Sequence, residues 1–127
     1  MDKAPHITRL KELNLWDLFH YRPELKVLPR ILPQEESIEA ATAGISAGKR
    51  WMVVFGKEAA YFIHVHLVNG QQTRKVLYAD MTDFSVRKGL FFGRVVLSLG
   101  ENTIKLENCH RRTMDRVQQV LADCAEK

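Results

Sequence analysis

The stretch "LFFGRVVLSLGENTIKLENCHRRTMDRVQQVLADC", residues 90 to 124, changes its hydrophobic period part-way along. "LFFGRVVLSL" (90–99) and "NTIKLE" (102–107) are rich in β-branched and apolar residues, separated by turn residues, and predict two strands. From Asn108 onward the period becomes 3.6: Met114, Val117, Val120, Leu121 and Cys124 share one side, and Arg111, Arg112 and Arg116 lie away from it. Asn108 is the expected N-cap of this helix, because its side chain can accept from the first unpaired backbone N–H groups. A strand-rich domain closed by one C-terminal amphipathic helix is the expectation.

Working back from residue 90, the same strand grammar repeats. "MTDFSVRK" (81–88), "TRKVLYA" (73–79), "AAYFIHVHLV" (59–68), "RWMVVF" (50–55) and "ESIEAATAGI" (36–45) are separated by "NGQQ", "GKE" and "SAGK". With the two strands after residue 90 this makes seven, all antiparallel. Before them, "TRLKELNLWDLFH" (8–20) predicts one amphipathic helix capped by Thr8, with Leu10, Leu13, Phe19 and either Trp16 or Leu18 on its apolar face. Pro23, Pro29 and Pro33 then predict an extended connector over "RPELKVLPRILPQ", too apolar to be a free linker, so its Leu and Ile side chains must pack somewhere. The expected organisation is residues 1–34 as N-terminal helix and connector, and residues 35–127 as one β domain.

The bulk properties agree. A chain of 127 residues with 46% apolar content fits one domain with a real core. Nineteen Lys and Arg against fifteen Asp and Glu leave a net charge of +4, a mild attraction to phosphate that does not demand nucleic acid. Cys109 and Cys124, fifteen residues apart on the predicted helix and so about 22 Å from each other, are expected as free thiols of a reducing cytosol. No run approaches the roughly 20 apolar residues a membrane span requires, so a soluble intracellular protein is expected.

Seven antiparallel strands followed by one helix is the order of elements in the pleckstrin-homology-like barrel. The wording of "LPRILPQEESIEAATAGIS", "RWMVVFGKEAAYFIHV", "YADMTDFSVRKGLFFGRVVLSL" and "NTIKLENC" resembles the bacterial YokE-like PH domains over roughly residues 28 to 124. The resemblance implies a mainly β fold with α: a partly open barrel of two near-orthogonal sheets, capped by the C-terminal helix, with an N-terminal helical extension. It also implies self-association, since related bacterial domains assemble. Lipid-binding relatives in eukaryotes spread several basic residues along the first hairpin. Here that hairpin offers only Lys49 and Arg50 beside Trp51, short of the converging charges a multiply phosphorylated inositol needs.

Three residue groups carry candidate chemistry. "RKGLFFGR" (87–94) is either a tight turn at Lys88–Gly89, with Gly93 allowing a bulge or a close backbone approach, or a basic aromatic tip for an anionic partner. Adjacent strand residues point to opposite faces, so one of Phe91 and Phe92 is expected in the core and the other near the surface beside Arg87, Lys88 and Arg94. Together with Lys49, Arg50 and Trp51 these form a candidate contact set for anionic lipid or an anionic protein. Leu10, Leu13, Trp16 and Phe19 form a candidate protein-interaction face, docked on the chain's own barrel or in a groove of another subunit.

His64 and His66, at i and i+2, share a strand face and could begin a zinc site only if a third ligand such as Cys109 or His110 folded onto them. Asp80, Asp83, Asp115 and Asp123 face no identifiable nucleophile. A Gly-rich phosphate loop, H-E-x-x-H and paired C-x-x-C are missing from the sequence, and its one G-x-S-x-G match, GISAG (44–48), lies between two predicted strands and not at a strand-to-helix turn. The expectation is therefore a non-catalytic interaction module that binds a protein partner or itself, with attachment to anionic membrane lipid as the alternative. No cofactor, metal or nucleic acid is expected, and the expected location is the cytoplasm or the inner face of the membrane.

Overall fold

The computed structural model describes residues 4–20, 22–33, 36–66 and 70–125. Seven strands, β1 (Ala40–Ser46), β2 (Lys49–Phe55), β3 (Ala59–His66), β4 (Gly70–Leu77), β5 (Asp83–Lys88), β6 (Phe92–Leu99) and β7 (Asn102–His110), form one antiparallel array in the order β4-β3-β2-β1-β7-β6-β5. The array bends between β1 and β7, where the register pairs Ile45 with Glu107, and it stays open between β4 and β5. A C-terminal helix, α4 (Met114–Ala125), follows a single 3₁₀ turn over Arg111–Thr113. Val117, Val120 and Leu121 of α4 pack inside the bent sheet against Val53, Phe55, Phe62, Val95, Leu97 and Leu106. This is the PH-like architecture, with the sheet left open.

Two local features bring β1, β7 and α4 together. Gly44 is buried where β1 crosses β7, and a Cβ there would lie 2.6 Å from the Glu107 carbonyl oxygen and 2.9 Å from Cys109 Sγ, so only glycine permits that approach. Next to it the Thr42 and Thr113 hydroxyls meet at 2.7 Å, and Thr113 in turn donates to the His110 carbonyl at 2.7 Å. This buried chain of hydrogen bonds fixes the start of α4 to β1.

The expected N-cap is corrected. Asn108 lies within β7 at φ 57°, where Gly93 pairs with Cys109 and Val95 with Leu106, so one β6 residue, Arg94, opposes two on β7. Asn108 serves a β-bulge, and asparagine tolerates the left-handed backbone that the extra residue adopts. Cys109 consequently belongs to β7 rather than to the helix of Cys124. Both are free thiols, and burial pushes the Cys109 thiol up to about 11.

The N-terminal expectations change more. The single helix over residues 8–20 is two: α1 (Ala4–Glu12) and α2 (Trp16–Phe19). Thr8 sits inside α1 and caps nothing. Between the helices Asn14 takes φ 61°, its N–H reaches the Lys11 carbonyl at 3.0 Å, and the Leu15 N–H reaches Leu10 at 2.8 Å. This is a Schellman stop with Asn in the left-handed position, and the buried Leu10 and Leu15 supply its apolar contact.

The predicted extended connector is instead a third helix, α3 (Glu24–Ile31). Pro23 precedes its first residue with φ −63°, which suits a helix start, and Pro29 is accommodated inside. An interior proline costs about 3 kcal/mol. Burial of Val27 and Leu28 on α3 and of Leu32 just beyond it offsets this, since each such side chain contributes about 1.5–3 kcal/mol.

These helices cover the outer face of the first three strands. Leu10, Leu15, Phe19, Leu28 and Leu32 pack on Ala41, Ala43, Met52, Val54, Tyr61 and Ile63. The apolar run "WMVVF" thereby serves two cores: Trp51, Val53 and Phe55 point toward α4, and Met52 and Val54 toward the N-terminal helices. Polar clamps surround the contact. The Arg112 guanidinium donates to the Asp17 carboxylate at 2.9 Å and holds that carboxyl below its usual range. Arg9 donates from Nε to the Ile38 carbonyl at 2.7 Å, and Arg9 and Arg116 both reach the Glu39 carboxylate at 3.6 Å.

Candidate functional site

The β5–β6 hairpin carries the largest exposed apolar residues among the described residues. Leu90 is 89% exposed, Phe91 80% and Phe92 58%. The expectation that one of the two phenylalanines enters the core is corrected, for two reasons. Phe91 lies in the turn, before β6 begins, so strand alternation does not govern it. Gly93 takes the inward position instead and is buried against Met114, where a Cβ would come within 2.2 Å of Met114 Cγ. Phe92 and Arg94, flanking the buried Gly93, are left on the solvent side. Of the two alternatives expected at Gly93, the close approach is present, and the neighbouring bulge has its extra residue on β7 at Asn108.

The turn is held from beneath. The Gly89 N–H donates to the Phe92 carbonyl at 2.9 Å, and Arg111 Nε donates to the Gly89 carbonyl at 2.8 Å. Lys88 Nζ lies 2.9 Å from the Asp115 carboxylate in the first turn of α4. Lys88 and Arg111 are therefore engaged with the chain itself. Arg87 and Arg94 are directly opposite each other in the β5–β6 register, exposed, and without an ion-pair or hydrogen-bond partner among the described residues. Like charges facing across a strand pair are unfavourable, and an anion between or before them would relieve the repulsion.

The other predicted contact residues do not form one patch with this tip. Lys49 donates from Nζ to Gln72 Oε1 at 2.6 Å, on the β4 side. Trp51 is half-buried, its indole N–H donates to the Ser46 carbonyl at 3.2 Å, and its ring lies 6.3 Å from Phe62 and 5.5 Å from His64. Arg50 is exposed on the opposite side of its strand from Trp51 and adds to the field around His110. His110 pairs with Phe92 in the β6–β7 register, and its ring sits 6.0 Å from Phe19 in an edge-on contact. Burial holds the His110 imidazolium pKa below the usual histidine value, helped by the guanidinium groups of Arg22, Arg112 and Arg50.

Of the second predicted face, Leu10 and Phe19 are fully buried on the chain's own sheet, and Leu13 and Trp16 are half-buried. His64 and His66 are neighbours with ring centroids 6.1 Å apart, and His64 Nδ1 is paired with the Arg50 carbonyl at 2.7 Å. Among the described residues no group of three or more His, Cys, Asp or Glu side chains is arranged to hold a metal ion. Sequence reasoning passed over Leu90 and Arg111. The signal for Leu90 was present in "GLFFG", three large apolar residues between two glycines, which a buried two-residue turn has no room for.

Residues 32–122 match the family described as bacterial PH domain. The chain belongs to that family. Among solved structures it is similar to a pleckstrin homology domain from Shewanella amazonensis SB2B, with 19% identity over 80% of this chain and 95% of that one and a TM-score of 0.56. It is also similar to a DUF1696 family protein with a pleckstrin-homology domain from Shewanella loihica PV-4, at 18% identity over 79% and 88% of the two chains, TM-score 0.55. The C-terminal domain of an unknown protein from Leishmania infantum matches at 15% identity over 80% and 94%, TM-score 0.58. These likenesses establish a shared fold. No curated protein matches the chain. Among the described residues no helix is long and apolar enough to cross a membrane.

Proposed function

We propose that this PH domain is a non-catalytic module that attaches to an anionic membrane surface through the β5–β6 tip, at the inner face of the cytoplasmic membrane. The observation that carries this reading is the exposed Leu90–Phe91–Phe92 tip standing beside the unpartnered Arg87 and Arg94. Each large side chain moved from water into the acyl boundary contributes about 1.5–3 kcal/mol. Each cation near an anionic leaflet adds about 1 kcal/mol. The tip is pinned to the 3₁₀ turn through Arg111 and to α4 through Lys88, so little ordering of the loop opposes insertion. The resemblance of residues 28 to 124 to the YokE-like members supports a small intracellular module without catalysis.

Co-sedimentation of the full chain with vesicles tests this. Pelleting with phosphatidylglycerol-containing vesicles, falling as salt rises from low to physiological and lost in the charge reversals Arg87→Glu and Arg94→Glu, is the expected result. Equal pelleting with neutral phosphatidylcholine vesicles, or indifference to salt and to both reversals, would overturn it.

A second reading, protein docking or self-pairing, has its own support at the other margin of the sheet. Strand β4 is an outer strand with seven of its eight residues exposed, including Leu77. An exposed edge of this kind offers unpaired backbone groups to an incoming strand. A monomeric mass in light scattering at every concentration would remove self-pairing.

A further inference from the structure

Away from the β5–β6 tip, the N-terminal helices enclose a cleft of about 290 Å³. Its walls are Ile7, Trp16, Leu25 and Pro29, with the buried Leu28 beneath them. No Asp or Glu is among its described lining residues, while His6, His20 and Lys26 are. Arg22 also borders it, but its charge is matched by Glu24 at 3.1 Å. Two ammonium groups are not matched in this way. Lys26 is exposed and has no partner among the described residues. Lys11 lies with Nζ 5.3 Å from the Trp16 ring centroid, held there by cation–π attraction and not by a carboxylate.

An apolar trough with cations at its rim and no anion in its lining complements a ligand that is hydrocarbon at one end and negative at the other. We propose that this cleft is a second binding site of the chain, for a single-chain amphiphilic anion of the medium-chain carboxylate class. The hydrocarbon lies along Trp16, Leu25 and Pro29, and the carboxylate points to Lys26, with the Lys11 ammonium nearby. The volume is at the small end of ligand pockets, so one chain fits and a two-chain phospholipid does not. Half-burial keeps His6 below the usual histidine pKa, which leaves a neutral imidazole able to donate one N–H to the carboxylate at neutral pH. This site stands independently of membrane attachment by the tip.

The chain has two tryptophans, Trp16 in the cleft wall and Trp51 on the far side of β2, so their indole N–H resonances provide a reporter and an internal control. Titration of the full chain with octanoate is expected to move the Trp16 signal saturably and leave Trp51 in place. The neutral 1-octanol is expected to bind about fivefold more weakly, and Lys26→Glu to weaken octanoate by about the same factor, the scale of an exposed charge contact. Lys26 is exposed, so its reversal leaves the rest of the spectrum as a measure of intact folding. Three outcomes would overturn the proposal: a still Trp16 signal, parallel unsaturated drift of both indoles, or equal affinity for octanoate and octanol.

Discussion

Two apolar surfaces of this chain end in opposite states. The outer face of β1–β3 and the tip of β5–β6 are both built from large apolar side chains with arginines nearby. The first is sealed by α1, α2 and α3, and its apolar residues sit at or near zero exposure. The second projects with three consecutive residues bare. The difference lies in tethering. The N-terminal segment is joined directly to β1 and folds back over a broad flat face, clamped by Arg9, Arg112 and Arg116. No described element lies over the hairpin tip, whose cations either brace it from below or face each other unpaired.

The contrast can be broken most sharply at its two phenylalanines. Phe19→Ala, on the sealed face, is expected to cost about 3–5 kcal/mol and to appear as a large drop in the urea midpoint. Phe91→Ala, on the bare tip, is expected to shift stability by no more than about 0.5 kcal/mol while cutting vesicle binding severalfold. Equal stability losses would mean that the tip is packed in solution and the comparison is wrong.

Next in size is Gly44→Ala, which forces a methyl group against the Glu107 carbonyl and should cost about 1–3 kcal/mol in the same measurement. A neutral result would show that β1 and β7 are farther apart than described.

The smallest expected effect is in acid. The folded-state pKa of His110 lies below the usual histidine value of about 6.5, so the folded chain binds fewer protons than the unfolded chain as pH falls through that region. The contribution of a neutral His110 is present above pH 6.5 and declines below it, because a new cation would face Arg22, Arg112 and Arg50 beside Phe19. His110→Gln should flatten that part of the stability–pH profile. An unchanged slope would place the acid sensitivity at other groups, such as His6, whose pKa is also lowered by burial.

Much of the β domain was legible because its strands are short, β-rich and separated by turn residues, and because the switch to the 3.6 period in α4 is sharp. The misreadings fall where tertiary contact overrides local grammar. Pro29 inside α3 looked like a helix breaker, yet Val27, Leu28 and Leu32 gain enough by covering the sheet to keep the helix. Asn14 and Asn108 were both in plain view, one read as mid-helix and the other as a cap. Each instead takes a left-handed backbone, at a helix stop and at a bulge. At the tip, alternation does not hold for Phe91 and Phe92 because Phe91 lies in the turn and only Phe92 belongs to β6. The basic charges were visible in the sequence, but which of them are free depends on the 3₁₀ turn and α4 bringing Arg111 and Asp115 under the hairpin.

Burial of both faces of β2 has a consequence for how the strands find their partners. In a sheet with one wet face, a slip of one residue moves the apolar set into water and is punished at once. Here a slipped β2 would exchange Met52 and Val54 for Val53 and Phe55, apolar for apolar, and that penalty largely vanishes. The alignment must be set by shape instead. Ala47 and Gly48, at φ 52° and 78°, form a two-residue turn that locks Ser46 opposite Lys49. Gly44 admits β7 at one position only. In this chain two small residues in a turn and one glycine at a crossing carry the discrimination that hydrophobic patterning provides elsewhere.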